Sequence, residues 1–166
     1  GLILLLGLGL LLLQNVQYLR GQFHYVRPIE YLSGKVGREA YIERYRPEYP
    51  AIQFINKHLP ASSGILGMFL GNRGYYSDRK MVFDENILGK SLKEQYVAED
   101  ILKDLCETGV THLLIRHDLF KTWVKDNFEP QAIEELNRFI RKYTQVLFSK
   151  NGYILISLEL PNNEKP

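Results

Sequence analysis

The chain opens with a run that a small water-soluble domain can neither expose nor enclose. Of residues 1–13, GLILLLGLGLLLL, ten are Leu or Ile and three are Gly, so the stretch has no polar side chain. A bilayer-spanning helix needs roughly 20 mainly apolar residues, and this run falls short of that. The economical reading is the end of a membrane helix, in a chain cut from a longer protein. A signal peptide would need a basic leader and a small-residue cleavage site, both missing here. A buried core helix with no polar face would need neighbours on every side. Residues 1–27 are therefore expected to be the end of a transmembrane helix and its extension.

The remainder of the chain is globular in composition. The 166 residues suffice for one domain with a real core. Lys and Arg number 21 against 19 Asp and Glu, a near balance that makes no case for nucleic acid, which would need a clustered basic face. The single cysteine, Cys106, rules out an internal disulfide and a multi-cysteine metal site; its expected place is the buried side of a helix. Six of the eleven tyrosines fall between Tyr18 and Tyr49, as at a boundary where one end of the ring is dry and the other wet. The same region carries Arg20, Arg27, Lys35, Arg38, Arg44 and Arg46, a bias that favours the cytoplasmic side of a membrane.

Read in order, Pro28 redirects the first helix, and 28–47 forms a connector of short helices around IEYL and REAYIERY. Residues 48–160 form the α/β domain, and 161–166 a disordered tail. Pro50 suits the first position of a helix whose stripe is Ile52, Ile55 and Leu59. Ile65–Leu70 and Met81–Phe83 read as strands. Ser91 and Glu94 have capping-box spacing, predicting a helix that turns Val97, Ile101, Leu102 and Leu105 inward and stops at Gly109. Val110–Ile115 is a third strand of parallel type. A helix from about Asp118 to Lys125, with Asp118 as N-cap, precedes one beginning at Pro130. The end is a hairpin turning at Asn151-Gly152, the favoured dipeptide of a type I′ turn. The fold class is therefore α/β: a mixed sheet of about five strands, three parallel plus a C-terminal antiparallel hairpin, flanked by helices.

Ligands of open α/β sheets sit beyond the carboxyl ends of the strands. That directs attention to GNRGYYSDR, residues 71–79, where Arg73 and Arg79 could pair with an anion and Tyr75 and Tyr76 could make contacts. The loop has neither the P-loop nor the dinucleotide spacing, and a plain structural turn with the tyrosines packed under the sheet edge is the alternative. Arg116-His117-Asp118 is a second strand-end group, but neighbours on a strand point to opposite faces and do not easily converge. His112 reads as a core or edge residue. His24 and His58 lack companions at ligand spacing, so no metal is expected.

The order of an apolar helix, REAYIERYRPEYPAIQFINKHLP, a strand, GNRGYYSDR, TGVTHLLI and NGYILISL resembles the C-terminal extracytoplasmic domain of bacterial GT-C type membrane glycosyltransferases. These are relatives of dolichyl-phosphate-mannose protein mannosyltransferases and of the aminoarabinose lipid A transferase. The resemblance implies a parent protein that moves a sugar from a polyprenyl-phosphate carrier to an acceptor outside the cytoplasmic membrane. The catalytic acidic residues would lie upstream of Gly1, so none is assigned here and this fragment would be inactive alone, holding no cofactor. Its partners would be its own upstream membrane domain and the lipid bilayer. The domain would face the periplasm or cell exterior, against the basic bias of residues 20–46. The other readings are a membrane-anchored α/β module that binds a small anionic ligand, and a domain that docks on a protein partner.

Overall fold

The computed structural model describes residues 1–94 and 97–159, without the side chains of 3–5 and 94. The predicted tail at 161–166 lies outside the described residues. The chain divides into two compact units, Gly1–Tyr45 and Arg46–Pro166.

The first unit is helical. Helix α1 (Leu2–Val26) is continuous, and its described leucines are exposed, from Leu2 at 74% to Leu19 at 53%. Among the described residues no helix is long and apolar enough to cross a membrane. Arg27, in the left-handed region, ends α1, and Pro28 opens α2 (Pro28–Leu32); α3 (Arg38–Tyr45) comes next. The tyrosines have a structural role. Tyr41 donates to Val26 O (2.7 Å), and the Tyr45 hydroxyl sits 2.8 Å from Tyr25 O and 2.7 Å from Val26 O. These phenols thus satisfy carbonyls that the last turn of α1 leaves open. Arg44 binds Glu30 at 2.7 Å, and that hydrogen bond holds the Glu30 carboxyl below its usual range.

The second unit is the α/β body. Its strands are β1 (Gly64–Met68), β2 (Lys80–Val82), β3 (His112–Arg116), β4 (Thr144–Lys150) and β5 (Tyr153–Leu158). They form one five-stranded sheet in the order β2-β1-β3-β5-β4. β1 runs parallel to β2 and β3, whereas β5 is antiparallel to β3 and β4, the mixed sheet expected. Asn151 (φ 55°) and Gly152 (φ 80°) close the hairpin with both central residues left-handed, the condition for a type I′ turn.

Helix α4 (Tyr49–His58) covers one face. There Ala51, Ile52 and Ile55 meet Ile65, Leu114 and Leu155. The other face carries α5 (Asn86–Glu94), α6 (Ala98–Glu107), α7 (His117–Asn127) and α8 (Pro130–Tyr143). Leu66, Leu113 and Ile156, each next in sequence to a residue of the first core, join Leu105 and Phe139 there. This is the two-residue alternation of a sheet buried on both sides.

Several local expectations change. Ser91 is no N-cap: it lies late in α5, buried, and its hydroxyl donates to Ile87 O. The helix start there is made by Asp84, whose Oδ1 accepts the Asn86 N–H at 2.9 Å. The predicted single helix is therefore two. Val97 flanks α6 and is exposed instead of inward. Asp118 sits inside α7, not at its cap, which is Arg116. Gly109 ends α6 as expected: its N–H donates to Cys106 O and that of Val110 to Leu105 O, the two bonds of a Schellman motif. Cys106 is half-buried, and burial pushes its thiol up.

Candidate functional site

The carboxyl ends of β1 and β3, the first residue of β5 and the N-terminus of α4 bring charged groups together. Glu48 precedes α4 between two prolines and is 1% exposed. Its Oε1 lies 3.7 Å from Arg73 Nη1. Its Oε2 is buried and accepts no hydrogen bond among the described residues. A buried carboxylate calls for a positive field around it.

Three guanidiniums supply that field. Arg73 stands at the rim, 43% exposed. Arg46 donates to the Tyr75 hydroxyl at 2.9 Å, a bond that favours its charged form, as the Glu48 carboxyl also does. Arg116, the last residue of β3, makes a two-pronged pair with Asp118 at 2.9 and 3.0 Å. That pair holds the guanidinium charged and the Asp118 carboxyl below its usual range. Tyr153 opens β5 beside them. Burial pushes its phenol up, the Glu48 charge adds to this, and Arg116 and Arg73 oppose it.

The loop that carries Arg73 is conformationally costly. Phe69, the first residue after β1, has φ 63°, and Asn72 has φ 56°. A bulky side chain rarely adopts that region, and such strain persists only where its surroundings fix it. Phe69 is fixed by Trp123, at a ring distance of 5.7 Å. The Phe83 ring pins the loop further, against Gly67 and Gly74, where an added Cβ would come within 2.8 and 2.9 Å of it.

The four residues predicted from sequence are split by the structure. Arg73 and Tyr75 join the cluster, and Tyr75 is 63% exposed. Tyr76 packs edge-to-face on Tyr49 at 5.0 Å and against the Tyr75 ring at 4.3 Å, while its backbone carbonyl accepts from Asn56; it borders the cluster through its ring. Arg79 belongs elsewhere. Its Nε donates to Leu59 O (3.0 Å) and its Nη2 to Asn56 O (2.9 Å) and Leu59 O (2.7 Å). It thereby closes the C-terminal turn of α4, the usual place for a cation on the helix dipole.

Glu48, Arg46 and Tyr153 are not singled out as site residues by the sequence, and Arg116 enters there only within a strand-end triplet. The one signal was the Arg-His-Asp triplet at the end of β3. The His117 backbone N–H donates to Gly152 O, and its side chain lines the space between α7 and α8. His112 pairs with the Thr111 hydroxyl at 2.7 Å, and burial lowers its pKa. Among the described residues no group of three or more His, Cys, Asp or Glu could hold a metal ion. Chemically, the arrangement offers guanidiniums and exposed tyrosine surface to an oxyanion, with Glu48 as their buried counter-charge. No family model, curated protein or solved structure matches the chain.

Proposed function

We propose that this chain is the water-facing α/β domain of a membrane glycosyltransferase of the GT-C type. The parent protein takes a sugar from a polyprenyl-phosphate carrier and passes it to an acceptor outside the cytoplasmic membrane. The catalytic carboxylates belong to a membrane part upstream, and this domain helps to shape the acceptor side. The observation that carries the membrane half of the reading is α1, whose described leucines are exposed at 53–74% between Leu2 and Leu19. Exposed apolar surface of that extent calls for lipid or protein cover. The glycosyltransferase half rests on the sequence resemblance. The test is the native protein's mass and its behaviour in an alkaline carbonate wash, followed with an antibody to this domain. A product several times heavier than 19.4 kDa that stays with the membrane supports the reading, and a soluble product near that mass overturns it.

A second reading is favoured by Arg46, Arg73 and Arg116: an anchored module that binds a small anionic group at the strand ends. The combined change Arg73→Ala and Arg116→Ala separates the two. Loss of inorganic phosphate binding by the chain itself supports the module. No phosphate binding at millimolar concentration, together with lower sugar transfer by the parent enzyme carrying the same changes, supports the glycosyltransferase domain.

A further inference from the structure

The sheet face that carries α7 and α8 is not fully closed. Between these helices lies a groove of about 550 Å³, inside the range of roughly 300–1,000 Å³ usual for small-ligand sites. Its floor includes Ile115 of β3 and Ile156 of β5; its walls include Phe120 and Val124 of α7 and Leu136 and Ile140 of α8. The groove thus reaches the main core, of which all but Ile140 are buried members and against which Ile140 packs. On the edge strand β4, Val146 carries the apolar floor outward and is 60% exposed.

The charged groups at the groove have one sign. Lys121 and Lys125 lie one turn apart on α7, and no Asp or Glu is among the described lining residues. Neither lysine has an ion-pair or hydrogen-bond partner among the described residues. A polar ligand would lose its hydration against such walls without recovering hydrogen bonds. A neutral chain would leave two adjacent ammonium groups without a counter-charge. Lysine stems can cover the apolar rim while their heads stay in water, where they meet an anion.

We infer that this groove binds the hydrocarbon chain of a single-chain anionic amphiphile, with its carboxylate or phosphate head at Lys121 and Lys125. The site is built from the α7/α8 face alone and does not rest on the glycosyltransferase reading. The test is photo-cross-linking of the full chain, held in zwitterionic nanodiscs, with hexadecanoate bearing a diazirine near its tail; the matching hexadecanol is the neutral control. Adducts are mapped by peptide mass spectrometry. The expected result is labelling of peptides from α7, α8 or β5 by the acid, suppressed by excess dodecyl phosphate. That labelling should fall at least fivefold in Lys121→Gln/Lys125→Gln, two exposed positions whose change spares the fold, and also in Val146→Lys, which puts a charge on the floor. Labelling confined to α1, no labelling, or equal labelling by acid and alcohol that the lysine changes leave untouched overturns the inference.

Discussion

Glu135 Oε2 accepts the backbone N–H of Ala98, 37 residues away, at 3.1 Å. The first turn of α6 is thus capped from α8. Its flanking residue, Val97, has no side chain able to do so, and the relation runs both ways. Glu99 of α6 accepts from Lys142 (2.8 Å) and Tyr143 (2.6 Å) of α8. Two helices of the same layer are therefore joined twice at the first turn of α6, by groups that no local motif reveals.

Removing the cap has a defined cost. Glu135→Ala is expected to lower stability by about 1 kcal/mol, the usual loss when a helix N-cap is deleted. Glu135→Gln keeps an oxygen acceptor and should lose far less. Urea midpoints of the two variants measure the difference, and equal losses would assign the effect to the ion pair with Arg138 instead.

The Glu99 clasp predicts a pH window. Its hydrogen bonds to Lys142 and then Tyr143 lower the Glu99 pKa to about 2 from an ordinary 4.5. The group therefore stabilises the fold fully above pH 4.5, and that contribution fades as pH falls toward 2. Lys142 is raised to about 12 by the same contacts, so its share persists through neutrality and is lost only as pH rises through about 12. Wild type and Glu99→Gln should differ in unfolding midpoint at pH 7 and converge near pH 2. A constant gap across that range would remove the clasp as its source.

The two loop arginines should differ toward phosphate. Arg79→Ala leaves the Asn56 and Leu59 carbonyls without their donor, a loss of about 1–3 kcal/mol for part-buried acceptors. Arg73→Ala takes away the cation nearest the buried Glu48 carboxyl, so it should lower the melting temperature as well, but it should also weaken any phosphate binding, which Arg79→Ala should spare. Calorimetry with and without phosphate distinguishes them.

The ring slot offers a repair experiment. At Gly74 an added Cβ would approach the Phe83 ring to 2.9 Å, so Gly74→Ala is expected to cost about 1–3 kcal/mol as overpacking. Phe83→Leu alone should also destabilise. Combined, the two changes should lose less than their sum. A strictly additive pair would mean that the ring is not what the methyl group strikes.

How much could be read in advance depended on how local the cause was. Leu66 and Ile65, or Leu113 and Leu114, face opposite cores because a strand alternates, and their apolar neighbours announced that directly. Gly109 and Asn151-Gly152 mark chain reversals whose conformation other residues resist, so those were visible too. Ser91 misled because its spacing to Glu94 fits a cap wherever it occurs, whereas the backbone bends at Asp84. Arg73 and Arg79 look alike on one loop; only the open carbonyls of α4 decide that one is a brace and the other a rim. Glu48 was hidden for the same reason, since its burial depends on Arg73, Arg116 and Tyr153, far off in the chain.

The position of β5 bears on how the domain is made. It follows β4 in sequence and is the last strand among the described residues, yet it lies between β3 and β4, with Leu155 fully buried. As the ribosome delivers the chain, β1, β2 and β3 can assemble, but the edge of β3 stays open and β4 has no neighbour until β5 emerges. A prematurely terminated product would display two unpaired edges, the signal that quality-control proteases and aggregation both respond to. Closure of the sheet therefore waits for β5, whatever else the chain has made by then.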